Sequence, residues 1–198
     1  MWDHLADFWT AVATAFRGVN GLLGYELINE PFAKSPFADD AALLGPLYQR
    51  LNAAIRAVDD DSIVFYESLV LSAPEGQPTH MVAGPGGPEY DDRQAFSFHV
   101  YCFNGTTAAT LPLCRLALEI NWRTNLLSLA RLGGGGRIVT EFGAVPQDSV
   151  SLEVLETVLD AADAHLTSWA YWTFKTFGDI TTSGNPHSET LCVCLTHV

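Results

Sequence analysis

The sequence predicts an α/β fold: a parallel sheet with helices packed outside it. Three observations carry this. Short apolar runs alternate with amphipathic helical patterns, in the order α-β-α-β-loop-β-α-β-α-β. The runs are apolar on both faces, as strands covered by helices on both sides are. The chain of 198 residues is 48% hydrophobic and 17% charged, enough for one sizeable core. No internal repeat or linker divides it, so a single domain is expected. These crossovers suit either a doubly wound sheet or part of a (β/α)8 barrel, and periodicity does not choose between them.

The elements follow in order. Residues 2–17 set Trp2, Leu5, Trp9, Val12, Ala13 and Phe16 on one helical face, and Gly18 and Asn20-Gly21 stop the helix. Leu22 to Ile28 is a short apolar strand. Residues 39–58 are helical through Leu44, Leu47, Tyr48, Leu51, Ile55 and Val58. Ser62 to Tyr66 is a strand, followed by a long Pro/Gly-rich loop. Ala95 to Tyr101 is the third strand. A helix over roughly 112–132 ends at the GGGG of 133–136, and Arg137 to Thr140 is the next strand. Residues 149–166 are helical through Leu152, Leu155, Leu159, Ala162 and Leu166, and Thr167 to Trp172 is the last strand.

Composition excludes several classes of function. The net charge is −13, from 23 acids and 10 bases, which argues against a nucleic-acid partner. No apolar run approaches the ~18 residues of a transmembrane segment. The start MWDHLADFWTAVATAF is interrupted by Asp3, His4 and Asp7 and does not read as a signal peptide. No GxGxxG follows a strand, and GGGG precedes a strand, so a phosphate cradle is not expected. The four cysteines contain no CxxC and the histidines no HExxH, so no zinc site is expected. Cys102 and Cys114 flank a loop as either a disulfide or two free thiols. Between them lies the sequon Asn104-Gly105-Thr106. Together these tilt toward the secretory pathway, and to an extracellular or lysosomal location for a full-length protein.

The strand ends carry the chemistry. The first strand ends on Asn29-Glu30, the second on Glu67 and the fourth on Glu141. The third carries His99 and Tyr101 at i and i+2, on one side of the strand. The last carries Trp172. In a (β/α)8 barrel such groups converge on one rim. Two glutamates there suit glycosidic cleavage, one as proton donor and one as nucleophile, about 5–5.5 Å apart in a retaining enzyme. Each glutamate alone reads as an ordinary strand-end acid; the set with His99, Tyr101 and Trp172 favours catalysis. Glu67 and Lys175 are weaker candidates. Pro31 is expected to bias Glu30 toward extended backbone and to stop the chain winding into a helix.

GYELINEPF, FHVYC, VTEFGA and SWAYWTFKTFGDITT, in that order, resemble glycoside hydrolase family 5 of clan A, the cellulase family, and within it the endoglycoceramidase subgroup. The resemblance covers residues 1–182 and implies a partial (β/α)8 barrel, strands four to eight, with the first three β/α units absent. Residues 183–198 form a divergent tail, and both ends read as those of an incomplete chain. The resemblance implies Glu30 as acid/base, Glu141 as nucleophile and Asn29 as a ligand of the sugar hydroxyl beside the reacting carbon. It implies His99 and Tyr101 as groups orienting the carboxylates, with Tyr101 donating to Glu141, and Trp172 as the platform under the sugar. The implied reaction is retaining hydrolysis of the β-glucosyl–ceramide linkage of glycosphingolipids, with no cofactor. A carbohydrate or glycolipid substrate and peripheral contact with membrane lipid follow, the apolar-leaning loop Leu69 to Tyr90 offering a wall for ceramide. The alternatives are a cellulase-like β-glucanase and an inactive or binding-only fragment.

Overall fold

The computed structural model describes residues 1–35, 37–70, 76–102, 107–145 and 148–172. The sequon, Lys175 and the 183–198 tail lie outside the described residues. The elements are α1 (Trp2–Phe16), β1 (Gly24–Glu26), α2 (Asp40–Arg56), β2 (Ile63–Tyr66), β3 (Gln94–Val100), α3 (Leu111–Leu132), β4 (Gly136–Phe142), α4 (Ser149–Ala164) and β5 (Ser168–Trp169). A single 3-10 turn, Pro88–Tyr90, precedes β3. Among the described residues the strands form one sheet in the order β1-β2-β3-β4-β5. The pairs β1–β2, β2–β3 and β4–β5 are parallel. This strictly sequential order lacks the reversal of a doubly wound sheet, so it decides for the barrel-type progression.

The chain forms two compact units, each assembled from two stretches: residues 1–98 with 123–137, and residues 99–122 with 138–198. In the first, α2 buries Leu44, Leu47, Tyr48, Leu51 and Ile55, and β2 buries Val64 and Tyr66. Each such side chain withdrawn from water contributes about 1.5–3 kcal/mol. An edge-to-face series runs from Tyr48 to Tyr66 (6.2 Å) and on to Phe96 (5.8 Å). Trp9 of α1 packs on Tyr25 at 6.0 Å, and its indole N–H donates to the Leu27 carbonyl at 3.2 Å. The predicted α1 stripe is narrower than expected. Trp9 and Ala13 are buried, whereas Trp2 and Phe16, at the two ends of the helix, stay exposed.

Asp39 caps α2, its Oδ1 accepting from the Ala42 N–H at 3.1 Å. Its neighbour Asp40 is 1% exposed and fastens the loop that follows β2. It accepts from the Thr79 hydroxyl (2.5 Å) and the His80 N–H (2.7 Å), with His80 Nδ1 at 3.2 Å. Ser128 Oγ accepts from the Thr79 N–H at 3.0 Å, and Arg131 donates to the Thr79 carbonyl at 2.8 Å. The loop's apolar side chains divide: Leu69 and Met81 are buried and Val82 is exposed.

In the second unit, Val139 and Phe142 of β4 and Val154, Leu155, Val158 and Ala162 of α4 form the core. Phe142 meets Trp169 and Tyr171 edge-on, each at 5.5 Å. The buried stripe of α4 keeps Leu155 and Ala162 of the predicted one and departs from it elsewhere. Ser151, Val154 and Val158 are covered, while Leu152 and Leu166 are exposed. Cys102 and Cys114 are joined as a disulfide across 12 residues. The last strand is shorter than predicted, β5 ending at Trp169, with an isolated parallel bridge between Gly143 and Trp172. No helix among the described residues is long and apolar enough to cross a membrane.

Candidate active site

The first unit positions Asn29, Glu30 and Glu67. Strand geometry in β1 stops at Glu26, short of the predicted Ile28, although the Leu27 N–H still bonds the Phe65 carbonyl at 3.0 Å. The chain then bends through exposed Asn29 into Glu30. Glu30 has φ 46°, in the left-handed region, and not the extended backbone expected before Pro31. Proline disfavours the right-handed helical form for its predecessor. In this form the Glu30 N–H donates to a distant partner, Glu67 Oε1, at 3.1 Å. Glu67, a weaker candidate from sequence, lies one residue beyond β2 and is 3% exposed. Tyr48 of α2 donates its hydroxyl to the Glu67 carbonyl at 2.9 Å. Burial, reinforced by the Glu67 charge, pushes the Tyr48 phenol far above its ordinary range, so it stays a donor.

The second unit brings His99, Tyr101 and Glu141 together. Burial along β4 puts Val139 and Phe142 inside and leaves Glu141 half-buried. Its Oε2 accepts from the Tyr101 hydroxyl at 2.7 Å, the length of a charge-assisted bond. His99 Nδ1 lies 3.5 Å from the same oxygen, with the imidazole edge-on to the Tyr101 ring at 6.2 Å. The i, i+2 spacing of His99 and Tyr101 explains how both reach one carboxylate. Asn121 of α3 donates to the His99 carbonyl at 3.4 Å.

Trp172 is set by backbone bonds to the end of the strand that carries Glu141. Its N–H donates to the Phe142 carbonyl (2.8 Å), and its carbonyl accepts from the Ala144 N–H (2.7 Å). The intervening Gly143 has φ 118°, and a Cβ there would stand 2.5 Å from the Tyr171 ring and 2.6 Å from the Trp172 carbonyl oxygen. Only glycine allows this approach. Trp172 itself is half-buried. Sequence reasoning missed the burial of Glu67, the strap through Asp40 and Thr79, and Asn121. The one local signal for Glu67 was a carboxylate directly after the apolar run IVFY.

Comparison with known proteins adds the following. The family model for cellulase (glycosyl hydrolase family 5) matches residues 2–178. An endoglycoceramidase of Cyanea nozakii is 29% identical over 192 residues, covering 89% of this chain and 34% of the relative. One of Hydra vulgaris is 32% identical over 187 residues, covering 90% and 33%. The chain thus spans about a third of the length of these curated relatives. Among solved structures it is similar to endo-glycoceramidase II from Rhodococcus sp. in a complex with a five-membered iminocyclitol. The TM-score is 0.75 at 26% identity, covering 86% of this chain and 40% of that one. The same Rhodococcus protein in its ganglioside GM3 complex gives a TM-score of 0.73 at 25% identity. With the sequential strand order, these neighbours make the described fold a partial (β/α)8 barrel.

Proposed function

The chain belongs to the cellulase family, glycosyl hydrolase family 5, and from that premise we propose that it carries the two catalytic carboxylates of a retaining glycoside hydrolase. The bond cleaved is the β-glucosyl–ceramide linkage of glycosphingolipids. Glu30 is the acid/base and Glu141 the nucleophile. The observation that carries this reading is the Tyr101 hydrogen bond to Glu141 Oε2, which fixes a carboxylate rotamer at the end of a rigid strand. The substrate class rests on the named relatives and on the ganglioside complex of the Rhodococcus protein.

The reaction runs in two balanced steps. Glu141 carboxylate attacks the anomeric carbon and forms a glycosyl ester, while the C–O bond to the aglycone breaks and Glu30 gives its proton to the leaving oxygen. Water then attacks the same carbon, Glu30 takes its proton, and the ester bond breaks to restore the Glu141 carboxylate. Asn29 binds the hydroxyl beside the reacting carbon, and Trp172 covers the apolar face of the sugar. His99 and Tyr101 orient Glu141. Ceramide release is accompanied by peripheral contact with membrane lipid.

The test is covalent trapping. The purified chain is treated with a 2-deoxy-2-fluoro glucoside or cellobioside carrying a good leaving group, and intact and peptide masses are measured. An adduct on Glu141, absent in Glu141→Gln, is the expected result. No adduct on a chain folded by circular dichroism would overturn the reading in favour of an inactive or binding-only fragment. Ganglioside turnover no better than that of cello-oligosaccharides would move the substrate to a β-glucan.

A further inference from the structure

We propose that Glu67 is a positioning residue: through the Glu30 main chain, its buried carboxylate holds the Glu30 carboxyl where proton transfer requires it. This inference rests on the acid/base role given to Glu30 above.

Three contacts between the segments leaving β1 and β2 carry it. The Leu27 N–H bonds the Phe65 carbonyl (3.0 Å), the Glu30 N–H bonds Glu67 Oε1 (3.1 Å), and the Val70 N–H bonds the Pro31 carbonyl (2.9 Å). The outer two are ordinary main-chain bonds. Between them, where the backbones have separated, the Glu67 side chain takes the place of a carbonyl. A buried carboxylate is costly to keep unless donors hold it. Here a donor is the amide of Glu30 itself. That amide belongs to a residue at φ 46°, a conformation that non-glycine residues adopt only where the surroundings impose it. Glu67 is in turn fixed by the Tyr48 hydroxyl on its own carbonyl (2.9 Å), from a tyrosine 1% exposed on α2. Helix α2 therefore sets β2's end, that end sets the Glu30 backbone, and the backbone sets the carboxyl. A displacement of about 1 Å at a reacting group costs on the order of 100-fold in rate.

Leaving-group dependence separates this role from a general contribution to folding. Proton donation matters for poor leaving groups and not for dinitrophenolate, which departs unaided. Glu67→Ala is expected to lower kcat/KM for an alkyl or lactosyl-lipid β-glycoside by about 100-fold. With the 2,4-dinitrophenyl glycoside kcat/KM should change by less than about 3-fold, because that first step uses Glu141 alone. Azide, a nucleophile that needs no general base, should raise kcat of this variant on the dinitrophenyl substrate. Glu67→Gln retains an acceptor oxygen of the same reach and should recover most of the loss. Equal losses on both substrates, or no loss, would overturn the proposal.

A wild-type chain inert toward every glycoside would instead sink the catalytic reading. The anchoring would then be judged by hydrogen exchange of the Glu30 amide, followed by NMR in wild type, Glu67→Ala and Glu67→Gln. Exchange accelerated at Glu30 in Glu67→Ala but not in Glu67→Gln supports the anchor, and identical exchange in all three removes it.

Discussion

Tyr101→Phe removes one oxygen atom and, with it, the shortest contact of the proposed nucleophile. The phenol donates to Glu141 Oε2 at 2.7 Å. Among the described residues the next contact on that oxygen, His99 Nδ1 at 3.5 Å, is longer than a normal N–H···O bond and does not replace it. A hydrogen bond to a charged group contributes about 1.5–3 kcal/mol. The loss acts in two opposed ways. A carboxylate stripped of a donor is a stronger base, which favours attack. It is also free to leave the rotamer that faces the sugar carbon. Orientation wins, because attack requires a near-contact geometry and misplacement costs orders of magnitude. At 1.36 kcal/mol per decade, kcat/KM should fall by about 10- to 100-fold. The assay is the second-order rate of labelling by the fluoro-glycoside, which reads the attack of Glu141 alone. The thermal midpoint should move little, since Glu141 is partly solvated. A labelling rate within about 3-fold of wild type would refute the reasoning and reduce Tyr101 to a packing residue.

Further outcomes follow from particular contacts. Asp59 is buried, which alone would push its carboxyl up. Donors from Ser62, Tyr25 and the Ser62 and Asp61 amides outweigh burial and hold it down at about 2. Its stabilisation is therefore complete above the unfolded value near 3.8 and is lost as pH falls through about 2. Asp59→Asn should flatten the pH dependence of the unfolding free energy between pH 4 and 2. Reducing Cys102–Cys114, or Cys114→Ser, should cost about 3 kcal/mol in urea unfolding through the freed loop. Gly143→Ala places a methyl against Tyr171 and the Trp172 carbonyl at a positive φ. It should lower fluoro-glycoside labelling and quench or shift Trp172 emission, where an isosteric surface change would not.

Much of the fold was legible because periodicity reports amphipathic faces directly. The α2 stripe of Leu44, Leu47, Tyr48, Leu51 and Ile55 is buried as its spacing requires. The helix ends were less legible for a physical reason. A 3.6-residue period identifies a stripe but not which flank a neighbour covers. Hence Trp2 and Phe16 are exposed on α1, and on α4 Ser151 is buried while Leu152, one residue on, is not. Hydropathy ranks leucine above serine, but the place of a side chain on the helix decided between them. Periodicity left the choice between barrel and doubly wound sheet open, since strand order is a property of pairing; the family motifs implied the barrel, and the observed order β1 to β5 agrees with it.

The two groups of candidate residues, one in each unit, differed in legibility, and the difference locates where sequence reasoning stops. His99 lies in β3 and Tyr101 one residue past its end, two apart in a chain that is still extended in sequence pattern, so their common direction is a local property, and both reach Glu141 Oε2. The backbone of Glu30 follows no such local rule. Proline at 31 limits what residue 30 can adopt, and from that limit extended geometry is the natural expectation. The observed left-handed value accompanies a hydrogen bond from the amide to a carboxylate 37 residues further on. Local chemistry therefore narrows the choice at Glu30, and the form adopted is one that a long-range hydrogen bond accompanies. That is the general reason why a functional side chain on a regular strand can be read from its neighbours, whereas one on a bend depends on residues that only folding brings near.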